Sequence, residues 1–521
     1  MRKVIEASLI FRFLFALDKW LVLQWNQSRF IALAKSSGLR NIIAGSLVIF
    51  AISKLFALFS SQWKSSHIMT WFLSQSSYDA KSAQGVVVGV GRLVHDGISK
   101  AFEHLRLNKL LKNSIFTMPY LWAFLALIAA PLVPTMLLLP LALLCLMSLM
   151  FAFACDRDRK IPFSPVNKYI ILFALIYIAT TFTSVTFWGS IFGGALTTLF
   201  ILFAIMISSS IKTKAHLDML LGAFVISGTL VSLYGIYQYF FGGWMAAAWL
   251  DAEMFGAIGI RVTSTLENPN VLAMYLLLVI PFAAAAVINA KYAITRLFFI
   301  GCFLCMLACM VMTFARGGWL GLIVAGALFL VLIDRRFIIL GIIALIALYF
   351  TLPEVILDRF FSIGDLEDTS TAFRVFIWIG TLAMLRDFWF TGIGHGIEAF
   401  AMIYPLYSFN LIISPHSHNL YLQIMTSTGF AGISMFVILL FSYFRYMFSA
   451  ISIRLRSKVE AKSVWIIQIA AVCAIVGFLV QGFTDYSFYN YRITFVFWAV
   501  IGLGLAAARQ SHENLGGEQS D

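Results

Sequence analysis

From residue 119 to residue 508 the chain alternates long apolar runs with short polar punctuation, and most runs approach the length that a helix needs to cross a bilayer. Twelve such segments are read, at about 119–132, 134–155, 166–186, 189–209, 217–241, 270–290, 297–315, 318–333, 337–352, 419–447, 463–484 and 493–508. The punctuation is asymmetric. Arg157, Arg159 and Lys160, then Lys212 and Lys214, Lys291 and Arg296, Arg335 and Arg336, and the basic stretch from Arg445 to Lys462 alternate with connections that are acidic or nearly uncharged. Because Lys and Arg accumulate in cytoplasmic loops, this alternation predicts an even number of crossings with both termini cytoplasmic. The expected fold class is all-α: a polytopic integral membrane protein with about twelve transmembrane helices.

Composition agrees. A chain of 521 residues with 61% hydrophobic and 12% charged residues, at a mean hydropathy of +0.91, has more apolar surface than one soluble core can hide. The formal net charge of +13 reads as the excess that positive-inside loops produce. No basic patch with interleaved aromatics points to nucleic acid, so no nucleic-acid partner is expected. Cys145, Cys155, Cys302, Cys305, Cys309 and Cys473 fall in or beside apolar runs and read as small packing residues rather than a disulfide or metal framework. Arg12, Asp18 and Lys19 interrupt the first apolar stretch, which argues against a cleavable leader.

The character of the sequence changes near residue 115. Residues 1–114 are mixed and basic, which suits a cytoplasmic or membrane-surface amphipathic region resting on anionic lipid. The run Ile42 to Phe59 approaches spanning length, but a crossing there would place the seven basic residues of 1–40 outside; an amphipathic or re-entrant helix containing Lys54 is expected. The GVVVGVG run at 85–91 lacks the βαβ context of a nucleotide loop and reads as a turn. Residues 115–508 form the transmembrane domain, with long outer loops at 242–269 and 353–418 that supply an outer-face subdomain, and 509–521 form a polar cytoplasmic tail.

Against this topology, Arg261, Arg316, Arg374 and His418 all fall on the outer side, where cations need a reason such as an anionic ligand. A guanidinium keeps its charge and presents a planar donor fork suited to phosphate or diphosphate. Arg374 lies in an amphipathic stretch from Thr371 to Leu385. His416 and His418 sit where the tenth span begins, and the positive end of a helix dipole there keeps an imidazole neutral, as a general base requires. The bland alternatives are interfacial histidines and snorkelling arginines. Asn268, followed by Pro269, stands where a helix start wants a cap. The GxGxG spacing in GIGHGIEAF at 392–400 reads as a turn, and the acidic run Asp365 to Asp368 as a solvated loop or a cation site.

The stretches ARGGWLG, ENPNVLA, FRVFIW with the later GIGHG, and HSHNLYLQIMTSTGFAG together resemble the O-antigen ligase and O-antigen polymerase superfamily, over roughly residues 160 to 505. The resemblance implies a GT-C-like membrane glycosyltransferase of the bacterial cytoplasmic (inner) membrane. Such an enzyme takes glycan from an undecaprenyl-diphosphate carrier at the outer face, with no cofactor and no required metal. Carried over by motif, His418 is the catalytic base or acceptor-orienting residue, Arg261, Arg316 and Arg374 hold the diphosphate, and His416, Asn419 and Asn268 support them. Implied partners are the lipid-linked glycan donor, a glycan or lipid acceptor, membrane lipids, a flippase and a chain-length regulator. Ala315 and Glu267 depart from the Ser-Arg-Gly and Gly-Asn-Pro-Asn forms common in the family, and Glu267 adds negative charge near the expected anion site. Ligase and polymerase remain equally compatible with these residues, although the long N-terminal region leans towards polymerase. Two other readings are an anion (bicarbonate-like) transporter of the same superfamily and a non-catalytic scaffold for glycan export. The first calls for ionisable groups through the bilayer midplane, which the nearly pure apolar interiors of 270–352 do not supply.

Overall fold

The structure is a computed structural model that describes residues 86–106, 114–156, 164–242, 261–334, 337–365, 368–456 and 462–518, with a few isolated positions before residue 114. The run at 42–59 and residues 243–260 of the loop at 242–269 lie outside the described residues. Within them the chain is helical and contains no strand. The main helices are α1 (Val86–His104), α2 (Pro119–Ala129), α3 (Thr135–Ala154), α4 (Asn167–Phe182), α5 (Phe187–Ser210), α6 (Lys214–Phe241), α7 (Pro269–Asn289), α8 (Ala293–Met312), α9 (Arg316–Ile333), α10 (Phe337–Thr351), α11 (Glu354–Phe361), α12 (Thr369–Phe388), α13 (Ile397–Ile403), α14 (Leu420–Arg456), α15 (Lys462–Gln481) and α16 (Tyr491–Glu518).

Each of the twelve apolar segments expected from sequence is a helix. Among the described residues nine are long and apolar enough to cross a membrane, or ten if the bent pair α10 and α11 is one span. Helices α2 and α4 are apolar but shorter. One expectation fails: most of the 85–91 run is not a turn, because Val86 opens α1, which carries His95 to the carbonyl of Phe153 at the end of α3, 2.9 Å away.

The bundle is organised around α7, whose spanning stretch is 83% buried and which packs against α6, α8, α9, α15 and α16. Its start follows from local chemistry. Asn268 caps it by accepting from Asn270 and Val271 N–H, and Pro269 takes the first helical position, where no donor is missed. Small residues let α9 approach α15: Gly321 and Gly477 face each other so closely that a Cβ on Gly321 would stand 2.6 Å from the Gly477 carbonyl oxygen.

Helix α14 is broken rather than continuous. Gly429 has φ +64°, a conformation that L side chains adopt rarely, and a strap at residues 389–394 runs into the break. There Phe430 N–H donates to Trp389 O at 2.8 Å and Ile393 N–H donates to Thr426 O at 2.7 Å. The strap, α12 and α13 share a small apolar core of their own built on Ile377, Met384, Ile393, Phe400 and Tyr404.

Replacing Gly321 by Val is expected to lower the melting temperature of the detergent-solubilised protein, at a cost of about 1–3 kcal/mol for overpacking. Gly326→Val on the same helix, where an added Cβ meets nothing within 4 Å, is expected to leave it nearly unchanged.

Candidate functional site

At one end of the bundle several helix termini are tied together by polar contacts. Gln238, near the end of α6, accepts from Thr263 and Ser264 N–H at 3.0 and 2.8 Å, and Val262 N–H donates to Met312 O at the end of α8. Gln481, ending α15, donates to Asn270 O at 2.9 Å, while Leu420 N–H, opening α14, donates to Gly482 O at 2.8 Å. The termini enclose a cavity of about 310 Å³, within the size range of ligand sites.

Four arginines line it: Arg261, Arg316, Arg359 and Arg374. Arg261 donates from Nε to Thr313 O (3.1 Å) and from Nη2 to Asn270 Oδ1 (3.2 Å). Burial first, and then the positive charges of Arg359, Arg374 and Arg316, push Arg261 down to about 9, which leaves it charged at neutral pH but in an unfavourable field. Arg374, on α12, donates to the Ser370 carbonyl and hydroxyl at 3.0 and 2.6 Å, and its buried Nε has no hydrogen-bond partner. Arg316 is more fully engaged. Its Nη1 donates to Ser362 O and Oγ, and its Nη2 to Asp368 Oδ1 at 2.7 Å and Thr371 Oγ1 at 3.2 Å.

Asp368 is not the solvated loop residue or cation ligand that its acidic neighbourhood suggests. It is buried, caps α12 through Thr371 N–H, and its second oxygen accepts from Arg359 Nη1 at 3.2 Å. Burial works to raise its carboxyl, but the hydrogen bond and charge of Arg316 outweigh that and hold it low. Glu367 lies outside the described residues and Asp365 is exposed. Glu267, expected to weaken an anion site, faces elsewhere: it is 86% exposed, pairs with Arg492 at 3.6 Å and lines a separate surface groove.

His418 stands just before α14, which Asn419 caps through Tyr421 and Leu422 N–H. Its φ of +47° is a strained conformation for a residue with a side chain. Hydrogen bonds on both sides hold it there: Ser417 N–H to Gln423 Oε1 (2.7 Å), Ser417 Oγ to Asn419 O (2.9 Å), and His418 N–H to His416 Nδ1 (3.3 Å). The His418 Nδ1 faces Asp485 Oδ1 at 3.4 Å, an electrostatic contact at the outer limit of hydrogen bonding. Asp485 follows α15, is buried and also lines the arginine cavity. Burial works to raise Asp485, and His418 and Arg374 more than reverse it, holding the carboxyl far below its ordinary range. His416 is buried, stacks on Tyr489 (ring centroids 4.8 Å apart) and lies 4.2 Å from the His418 ring. Since its Nδ1 accepts from a main-chain N–H, the proton of neutral His416 sits on Nε2. Burial, then the neighbouring His418, lowers it to about 3.

All four residues singled out from sequence, Arg261, Arg316, Arg374 and His418, meet at this site. His416 joins them, whereas Asn268 and Asn419 serve as helix caps. Arg359 and Asp485 escaped the sequence reading, as did the role of Asp368. One ligating atom from each of His416, His418 and Asp485 lies within 4.8 Å of the others, so this trio has the spacing to hold a cation.

Neutral burial of His416 sets a pH dependence. Its folded pKa is lowered, so the unfolded chain binds one more proton between about 6.5 and about 3, and stability must fall as pH drops through that window. The slope from this residue is at most ~1.4 kcal/mol per pH unit. His416→Asn is expected to flatten the decline of melting temperature between pH 6.5 and 4, measured in detergent by scanning fluorimetry.

Residues 301–437, running from α8 into the second part of α14 and including Arg316, Arg359, Arg374, His416 and His418, match the O-antigen ligase family model. No curated protein matches the chain. The matched stretch, about a quarter of the chain, is similar to the O-antigen ligase family and, together with the apolar helices, supports the reading of a multi-pass membrane protein of the O-antigen ligase and polymerase superfamily.

Proposed function

We propose that the protein is a glycosyltransferase that moves glycan from an undecaprenyl-diphosphate carrier to an acceptor hydroxyl at the outer face of the bacterial cytoplasmic membrane. The observation that carries this reading is the convergence on one cavity of four arginines and Asp485, the carboxylate that faces the His418 imidazole. The acceptor O–H passes its proton to His418 as its oxygen bonds to the anomeric carbon. The bond from that carbon to the phosphate oxygen breaks, and its electron pair stays on the diphosphate. Asp485 faces Nδ1 of His418, which favours the tautomer with the proton there and leaves Nε2 as the base. The developing diphosphate charge is stabilised by Arg261 and Arg374 directly. Arg316, whose four Nη hydrogens are already engaged, acts through its field and by keeping Asp368 paired.

The chemistry needs no metal in this reading. Arginine already supplies the positive charge, and a cation on the His416, His418 and Asp485 trio would sit in the field of Arg374 and remove the lone pair that the base requires. A ligase would use these residues on a lipid or protein acceptor and a polymerase on another lipid-linked repeat. A flippase delivering the donor and a chain-length regulator are the partners that the second case would need. In this reading the N-terminal region and both termini face the cytoplasm, as the positive-inside bias of the loops suggests.

In membranes supplied with lipid-linked glycan, His418→Ala is expected to lower transfer by ~10²- to 10⁴-fold. Arg261→Gln and Arg374→Gln should each lower it ~10²- to 10³-fold, read as loss of product on gels. Wild-type rates in His418→Ala would end its assignment as the base. Arg316→Gln should in addition lower the melting temperature, because the buried Asp368 loses its closest countercharge. Transfer should survive exhaustive treatment with EDTA and 1,10-phenanthroline; loss of activity restored by added Zn²⁺ or Mn²⁺ would instead make the trio a metal centre.

A further inference from the structure

The GIGHG stretch, which by sequence reads as a turn, has a more specific use. Gly392, Gly394 and Gly396 all have positive φ, at 68°, 99° and 114°, and a Cβ on Gly394 would collide with Ser184. The strap they form is pressed into the bundle and delivers His395 between α4 and α5. There His395 is 3% exposed, packs edge-on against Tyr177 and meets Thr197 Oγ1 through Nε2 at 3.0 Å. Its Nδ1 is buried without a hydrogen-bond partner. A buried polar atom left unpaired costs stability, and a group that persists in that state calls for a ligand or a solvent partner.

His395 lines a second cavity of about 300 Å³, distinct from the arginine cavity. Trp188, Tyr489 and Tyr491 supply flat aromatic faces, while Glu398 and His416 add polar groups to the same wall. Two glycines of α5 make the space: a side chain on Gly193 would run into the Tyr491 hydroxyl, and one on Gly189 into the Glu398 carboxylate. Among the described residues the walls carry no arginine or lysine, so the cavity suits an uncharged ligand with both an apolar face and hydroxyls. His416 lines this cavity, and His418 beside it contacts Asp485, which lines the other. The imidazole pair is therefore the partition between an arginine-lined chamber and an aromatic one.

We infer that this second cavity is a sugar-binding subsite, in which Trp188 stacks on a pyranose ring and His395 Nδ1 pairs with one of its hydroxyls. This rests on the transferase reading for its identification as the acceptor's place, since a hydroxyl held there faces the histidine pair while the diphosphate occupies the other side. The sugar-binding property itself does not depend on that reading. A site built around a buried polar atom discriminates strongly against ligands lacking the matching hydroxyl.

The test uses the full chain in nanodiscs and saturation-transfer difference NMR with the methyl glycosides of glucose, galactose, mannose and N-acetylglucosamine as probes. At least one glycoside is expected to receive saturation from the wild type. The signal should fall about fivefold or more in both Trp188→Ala and His395→Phe, a weakening well within what one lost contact produces. Trp188 is 82% exposed, so its truncation does not threaten the fold and decides the matter alone if His395→Phe fails to fold. No saturation with any of the four glycosides, or a signal undiminished in either folded variant, overturns the subsite. His418→Ala and Arg374→Gln should keep the signal while losing transfer. Glycoside binding by a wild-type protein that transfers nothing would overturn the proposed function and leave the subsite standing; transfer without glycoside binding would do the reverse.

Discussion

Positive charges gathered in a poorly solvated cavity repel one another, and the rest of this architecture can be read as the means of holding Arg261, Arg316, Arg359 and Arg374 together against that repulsion. Asp368 is the main device. One buried carboxylate binds two guanidiniums with separate oxygens and at the same time caps the helix that carries a third. It does not line the cavity, so it offsets part of the repulsion without competing for an anion. What remains uncompensated is an excess of positive potential aimed at the space between the helix ends, the condition under which a diphosphate gains most from binding and from developing charge.

Much of this was legible in the sequence, for a physical reason. The alternation of loop charge reads Arg261, Arg316 and Arg374 at the non-cytoplasmic ends of apolar runs, where cations go against a strong bias, so they stand out without any knowledge of packing. His418 stands out because it opens a spanning helix beside a second histidine. The expected electrostatics were less accurate: His418 lies one residue before the cap, and the strongly neutralised imidazole is His416, held so by burial rather than by the helix dipole.

Asp485 was missed because nothing in TDYSFYNYR marks one carboxylate among aromatics as special; its meaning arises only when the end of α15 docks against the start of α14. Asp368 was misread because it closes an acidic run, and runs of that kind are usually hydrated. The clue available was its position three residues before Thr371, at the start of an amphipathic stretch, where an aspartate is a natural cap. The glycines of GIGHG correctly announced unusual backbone geometry, but not that the strap would be driven into a neighbouring helix.

That intrusion has a consequence for how the chain is made. At the break in α14, main-chain groups of Thr426 and Phe430 find partners not in their own helix but in Ile393 and Trp389, which precede them by more than thirty residues. In hydrocarbon an unmatched amide or carbonyl is heavily penalised. The strap leaves the ribosome before the helix it completes, so the order of synthesis presents each orphan group with a partner already in existence. A permuted chain in which α14 emerged first would hold those groups unpaired until the strap followed.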